Sequence, residues 1–329
     1  MASPSEAVGL GMGLPGAVAS PRTALPGVCG PGYALSNLGA AMPDLGFHST
    51  AEEVTVGRDL TGTTWLVTGV NSGLGRESAR VLALRGAHIV GLARTLEKAS
   101  AAVAELGVSA TPVACELSDL TSVRAAVASL AGVSFDGLMA NAGIMALQSL
   151  QQTLGIEQQL YTNHIGHFVL VTGLLDQLKP GGRVVILSSE AHRMARQGLE
   201  LDNVSGDDNY HPWRMYGRSK LANILFARSL TRRFALDGSG RTANALHPGV
   251  IQTNLARHIP DPGPMFARMQ KIEKTIPQGA ATQCFVATHP ALQGVSGRYF
   301  SDCAELAPIP AALDDAAAAA LWAWTESVT

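Results

Sequence analysis

The sequence is short of charge, of aromatic rings and of cysteine. Only 15% of its 329 residues are charged, and 26 acidic against 24 basic side chains leave a formal net charge of −2. So even a balance offers no basic field for nucleic acid or an anionic membrane surface. The longest candidate apolar run, Phe168 to Leu175, falls well below the roughly 18 to 20 residues that span a bilayer. The four cysteines, Cys29, Cys115, Cys284 and Cys303, lie far apart with no CxxC pair. That spacing excludes a disulfide framework and a zinc knuckle, and reduced thiols in a cytoplasmic protein are the expectation. Apolar side chains make up 47% of the chain and glycine is abundant at 35 residues, a composition that suits helices packed closely on a buried sheet rather than a disordered chain.

Residues 1–48 differ from all that follow. They are rich in Gly, Ala, Pro and Ser, lack periodicity, and read as a flexible leader. Ala7 to Ala19 faintly resembles a secretory signal, but Glu6 stands where Lys or Arg belongs, and Gly9, Gly11, Gly13 and Pro15 interrupt the apolar stretch. Order is expected from Ser49, with Ser49 as helix N-cap and Glu52 three residues on as its capping-box partner. Seven strands then alternate with helices: Trp65 to Thr68, His88 to Ala93, Ser109 to Cys115, Leu138 to Ala140, Val184 to Leu187, Thr242 to Leu246 and Arg298 to Phe300. The helical stretches are Gly73 to Leu84, Thr95 to Leu106, Leu120 to Ala131, Ile156 to Leu178 and Trp213 to Leu236. Near-continuous apolar strands separated by helices mean βαβ units, and hence one doubly wound α/β domain over residues 49–329 with a parallel sheet of about seven strands.

The first strand runs into Thr68-Gly69-Val70-Asn71-Ser72-Gly73-Leu74-Gly75, and a helix follows. Such a loop lets backbone approach a pyrophosphate at the positive end of a helix dipole. The end of the second strand selects the cofactor. NAD would call for Asp or Glu there, whereas this chain has Leu92-Ala93-Arg94, with Arg76 as a second cation and the nearest carboxylate, Glu97, a turn too late. A guanidinium fork suits a 2′-phosphate, so NADP(H) is expected.

Later motifs complete the pattern: Asn141-Ala142-Gly143, Asn163-His164-Ile165-Gly166-His167-Phe168, Ser188-Ser189-Glu190-Ala191-His192, Tyr216-Gly217-Arg218-Ser219-Lys220 and His247-Pro248-Gly249-Val250-Ile251-Gln252-Thr253. With the glycine loop, these make the chain resemble the short-chain dehydrogenase/reductase family over residues 62–329. The phrases NHIGHF, SSEAHR, YGRSKLAN and SGRYFSDC make it most similar to the branch of retinol dehydrogenases and WW-domain-containing oxidoreductases. No tryptophan precedes Trp65, so tryptophan-bearing WW modules are absent. The resemblance implies a Rossmann fold, catalytic Asn163, Ser189, Tyr216 and Lys220, and cofactor contacts from Gly69, Asn71, Ser72, Gly73, Leu74, Gly75 and Arg94. It extends those contacts to Glu116, Leu117, Asn141, Ala142, Gly143, Tyr216, Lys220, Pro248, Gly249 and Thr253. Glu116 departs from the family, which commonly has Asp near the adenine amine.

Tyr216 and Lys220 are i and i+4 on one helix and share a face. A free phenol titrates near about 10. The Lys220 ammonium and an oxidised nicotinamide are expected to lower that value, making Tyr216 the general acid in reduction and base in oxidation. Ser189 would hydrogen-bond the substrate oxygen, and Asn163 would anchor a water relay to Lys220. His164 and His167 lack a third metal ligand and read as packing residues, so no metal is expected. Residues 250–276, with Ile251, Leu255, Ile259, Met265, Phe266 and Met269, read as a substrate lid for an apolar alcohol, aldehyde or ketone. Two other readings stay open: an idle NADP(H)-binding redox sensor, and a protochlorophyllide-type reductase of C=C bonds. Apolar residues on more than one face of Ile156 to Leu178 and Trp213 to Leu236 suggest a homodimer.

Overall fold

A computed structural model describes residues 45–107 and 109–329. The signal-like stretch, most of the leader assignment and Cys29 lie outside the described residues. Leu45 packs on the core and the Phe47 ring sits 4.8 Å from Lys274 Nζ, so the packed region reaches back past residue 49.

Strands β1 (Thr64–Thr68), β2 (His88–Ala93), β3 (Ala110–Ala114), β4 (Phe135–Ala140), β5 (Leu178–Leu187), β6 (Thr242–Leu246), β7 (Tyr299–Ser301) and β8 (Ala304–Glu305) form one sheet. Their order is β8-β7-β6-β5-β4-β1-β2-β3, parallel throughout except for the antiparallel β7–β8 edge. This is the Rossmann arrangement, and its strand order reverses between β1 and β4, where such sheets open a crevice at the strand ends. The eighth strand, two residues long, is too short to read from sequence.

Helices α1 (Ala51–Val54), α2 (Gly73–Leu84), α3 (Leu96–Ala104), α4 (Leu120–Ser129), α5 (Gly166–Gly173), α6 (Pro212–Asp237), α7 (Gly263–Met269), α8 (Ile276–Thr288) and α9 (Asp315–Val328) surround the sheet. Alternation along β1 shows the two layers. Trp65 and Val67 join a core with α1, α2 and α8, while Leu66 joins one with α4, α5, α6 and α9. Among the described residues no helix is long and apolar enough to cross a membrane.

Two local expectations need correction. The first cap belongs to Thr50, whose Oγ1 accepts from Glu53 N at 3.3 Å while Glu53 Oε2 accepts from Thr50 N at 2.7 Å. Burial of Ala51 and Val54 fixes this register, and Ser49 Oγ instead accepts from Gly46 N. The stretch Ile156 to Leu178 is not one helix. It divides into a two-residue strand (Ile156–Glu157), a short turn of helix, a π-helical turn (Tyr161–Ile165) and α5. The buried Glu157 carboxylate accepts from Gln159 N and Leu160 N, so the helix cannot extend back through it.

The apolar face assigned to a dimer partner is covered within the chain. Trp322 of α9 packs on Phe168 and Phe226 at ring-centroid distances of 4.8 and 5.9 Å. The Arg233 guanidinium lies 3.6 Å over the Trp322 ring, and Ser229 Oγ donates to Ala318 O at 3.0 Å. Removing the Trp322 side chain would open a cavity between α5, α6 and α9. Trp322→Ala should therefore lower stability by about 3 kcal/mol or more in urea titration; a loss below about 1 kcal/mol would mean that α9 packs only loosely.

Candidate active site

A cleft of about 1110 Å³ opens where the strand order reverses, lined by the β1–α2 loop, the ends of β2, β4 and β5, and α6. Gly69 takes φ +75° in the turn out of β1, a region that glycine enters without strain. Gly75 is set by close approach: a Cβ there would lie 2.4 Å from Gly69 O and 2.5 Å from Asn141 Nδ2. Ser72 is the N-cap of α2, yet its side chain makes no capping bond, whereas Thr95, Asp119 and Asp314 cap their helices. Asn141 Oδ1 is buried with no hydrogen-bond partner among the described residues. An uncapped helix start, a glycine cradle and an orphaned acceptor fit a dinucleotide.

Seventeen of the sequence-assigned residues line this cleft: Gly69, Asn71, Ser72, Gly73, Leu74, Arg94, Glu116, Leu117, Asn141, Ala142, Gly143, Ser189, Tyr216, Lys220, Pro248, Gly249 and Thr253. Gly75 lies behind the loop. Asn163 is fully buried beneath Gly143, where a Cβ would stand 2.9 Å from Asn163 Oδ1 and 3.7 Å from Lys220 Nζ. Arg76 does not supply the expected second cation, because it pairs with Glu105 on the surface and does not line the cleft. Glu116 Oε1 accepts from Ser118 N at 3.1 Å and Ser118 Oγ at 2.8 Å.

Thr68 connects the two halves. Its Oγ1 accepts from Asn141 N and Ala142 N, both at 2.9 Å, and lies 2.9 Å from His167 Nε2. His167 Nδ1 lies 3.0 Å from Asn163 O, a pure acceptor, so Nδ1 carries the proton and Nε2 accepts from Thr68. Burial, the larger cause, lowers the His167 pKa to about 4 and keeps the ring neutral. Asn163 Oδ1 accepts from Ile144 N at 2.8 Å, and its Nδ2 donates to Ile144 O and Ser219 Oγ at 2.9 Å each. The sequence reading gave Thr68 and His167 no role in the site; their spacing alone carries no signal.

Tyr216 and Lys220 are each 4% exposed on α6, with Lys220 Nζ 5.6 Å from the Tyr216 ring centroid. Nζ donates to Leu187 O at 3.2 Å. Ser188 Oγ donates to Lys220 O at 2.7 Å and is thereby committed to holding α6 on β5. Ser189 Oγ accepts from Ala191 N at 3.2 Å, and the Ser189 carbonyl accepts from His192 Nδ1 at 2.7 Å. His192, three residues on from Ser189, is a third residue the sequence reading left without a role. The expected low phenol pKa is not a property of the polypeptide alone: burial pushes Tyr216 up to about 12, with the Ser189 hydroxyl offsetting part of the rise. Burial also brings Lys220 down to about 8.

The segment expected to be a lid is closed at its base. Val250–Ile251 pairs in parallel with Glu273–Lys274, and the buried Lys274 ammonium pairs with Asp302. Between them, Ala256 and Phe266 cluster with Tyr216 and Met145, with Leu255, Ile259 and Met265 packed alongside.

The fold and cleft define a Rossmann-type dinucleotide-binding protein. Residues 63–262 match the family described as short chain dehydrogenase, and the chain belongs to the short-chain dehydrogenase/reductase family of oxidoreductases. It is 40% identical to short-chain dehydrogenase TIC 32 B, chloroplastic, of Brassica napus, over 84% of this chain and 92% of that protein. Retinol dehydrogenase 14 of Homo sapiens is 38% identical, over 79% of this chain and 84% of its own length. The human WW domain-containing oxidoreductase is 36% identical, over 84% of this chain and 70% of its own. Among solved structures, a short chain dehydrogenase from Burkholderia cenocepacia in complex with NADP shares 27% identity at a TM-score of 0.61, covering 74% of this chain and 97% of that one.

Thr68→Val keeps the side-chain shape but leaves two amides and His167 Nε2 without their partner. It should cost about 2 kcal/mol or more in denaturant unfolding; an unchanged midpoint would show that water replaces the hydroxyl.

Proposed function

We propose that the protein is an NADP(H)-dependent oxidoreductase that interconverts apolar alcohols with aldehydes or ketones. The observation that carries this reading is the convergence of Tyr216, Lys220 and Ser189 on the cleft that the glycine loop and Arg94 also line. The nicotinamide supplies or takes the hydride when bound. Arg94, in place of a carboxylate at the end of β2, supports the phosphorylated cofactor, as does the similarity to a structure solved with NADP. The lid's Leu255, Met265, Phe266 and Met269 support an apolar substrate, and the retinol dehydrogenase among the relatives points the same way.

In reduction, Ser189 donates to the substrate oxygen and Tyr216 delivers the proton, which burial keeps in place at neutral pH. In oxidation, Tyr216 first gives up that proton. The Lys220 ammonium favours the phenolate, and burial brings Lys220 down to about 8, so that support weakens as pH rises through that value. Asn163 Oδ1 and Lys220 Nζ flank Gly143, where a water would pass the proton outward.

A redox-sensing scaffold would bind NADPH without turnover, and a C=C reductase would act on conjugated alkenes; a screen of all three substrate types separates these readings. Residues 1–48 are proposed as a leader outside the chemistry. Cytoplasmic residence is likewise a proposal, and the word chloroplastic in the TIC 32 names supports an organellar alternative; imaging of the full chain tagged at its C-terminus decides between them. Because α9 covers the second face of α5 and α6, we propose that one chain is the working unit in place of the expected homodimer. Light scattering should give about 34.2 kDa, and twice that mass would restore the dimer.

Tyr216→Phe should retain NADPH binding while turnover falls by roughly 10²–10⁴. Reduction should stay nearly flat from about pH 6 to about pH 8, where the phenol is protonated, and oxidation should rise with pH as the proton is lost. NADPH should bind at least about tenfold tighter than NADH, about 1.4 kcal/mol. Equal cofactor affinities, or full turnover by Tyr216→Phe, would reject the reading.

A further inference from the structure

Three groups able to carry positive charge line the same cleft, and two of them belong to the lid. Arg94 follows β2, while Arg257 and His258 close the 3-10 turn Asn254–His258, and all three line the cleft with Glu116. Arg257 is held below its ordinary value by burial first and by Arg94 second, with Glu116 partly offsetting. His258 is lowered by burial, then by Arg257 and Arg94. Among the described residues none of the three takes part in an ion pair. Glu116 is one carboxylate against two guanidinium groups, and its Oε1 is already held by Ser118.

Arg257 Nη1 donates to Asn254 O at 2.9 Å, which fixes the guanidinium by the lid's own backbone and uses only part of its donor fork. Two guanidinium groups with one carboxylate between them keep an excess of positive charge, and a dianion held by both would offset it. Arg94 comes from the core and Arg257 from the lid, so an anion held by both would also hold the two parts together.

We propose that Arg257, with His258 beside it, is the lid's half of a two-sided site for the 2′-phosphate of the cofactor, opposite Arg94, so that the phosphate also pins the lid over the apolar cleft. This rests on the NADP(H) reading above. NADH would occupy the glycine cradle yet leave Arg94 and Arg257 facing each other without an anion, and the lid less firmly held.

Calorimetric titration of the full chain with NADPH, NADH and adenosine 2′,5′-bisphosphate tests the site, alongside trypsin cleavage after Arg268 and Lys271 of the lid. Arg257→Gln should weaken NADPH and the bisphosphate about tenfold or more and NADH less than about twofold. In the unsubstituted chain NADPH should slow lid cleavage more than NADH does, and Arg257→Gln should abolish that difference. Unchanged NADPH affinity in Arg257→Gln, or an equal loss for NADPH and NADH, would overturn the proposal. Arg94→Gln separates the two levels. If it loses the NADPH preference while Arg257→Gln keeps it, only the lid half fails; if the unsubstituted chain shows no preference, the NADP(H) reading itself fails.

Discussion

The Thr68 hydroxyl is the point on which the site depends. It accepts two backbone N–H groups from the end of β4 and donates to His167, which in turn holds the Asn163 carbonyl. These bonds join the end of β1, the end of β4 and the π-helical turn before α5 at the place where strand order reverses. The Thr68 hydroxyl and both His167 ring nitrogens are all engaged, and such networks fix geometry because the cost of leaving a member unpaired is high. Asn141 Nδ2 donates to Thr68 O at 2.8 Å and lies against Gly75, so the glycine cradle inherits its position from the same network.

Burial then sets the chemistry. The lid clusters against Tyr216, and desolvation holds the phenol protonated while drawing Lys220 toward neutrality. That arrangement suits an acid better than a base. Under the proposed function, the phenolate that oxidation would need requires positive charge beside it, and Lys220 and an oxidised nicotinamide are two sources the site could hold. Ser188 and Ser189 divide their labour for a geometric reason: one hydroxyl fastens α6 to β5, and the other remains at the cleft.

Much of this was legible in the sequence where chemistry and spacing coincide. The glycine loop and the Tyr216–Lys220 pair are local patterns on a strand–loop–helix and on a helix, and the six-residue span His88–Ala93 and the five-residue span Thr242–Leu246 occur as read. Helices α8 and α9 escaped because small residues and an alanine run give little periodicity; α8 nonetheless buries Gly279, Ala280, Ala281 and Cys284 against the sheet. The π-helical turn escaped because its apolar residues continue a helical pattern, and only the Glu157 cap interrupts it. Arg76 and Arg257 show the limit most clearly. Proximity in sequence favoured Arg76, but a carboxylate on α3's C-terminal side draws it away, while Arg257 reaches the cleft from more than 160 residues beyond Arg94.

The most direct test of the central claim follows the hydride itself. The full chain would be incubated with NADPH deuterated at the transferring position of the nicotinamide, on each face in turn, and an apolar aldehyde or ketone, and the products analysed by mass spectrometry. The account predicts deuterium on the carbinol carbon of the alcohol from one face of the label. Deuterium on an alkene-derived carbon, or no transfer from either face with any carbonyl in the panel, would contradict it.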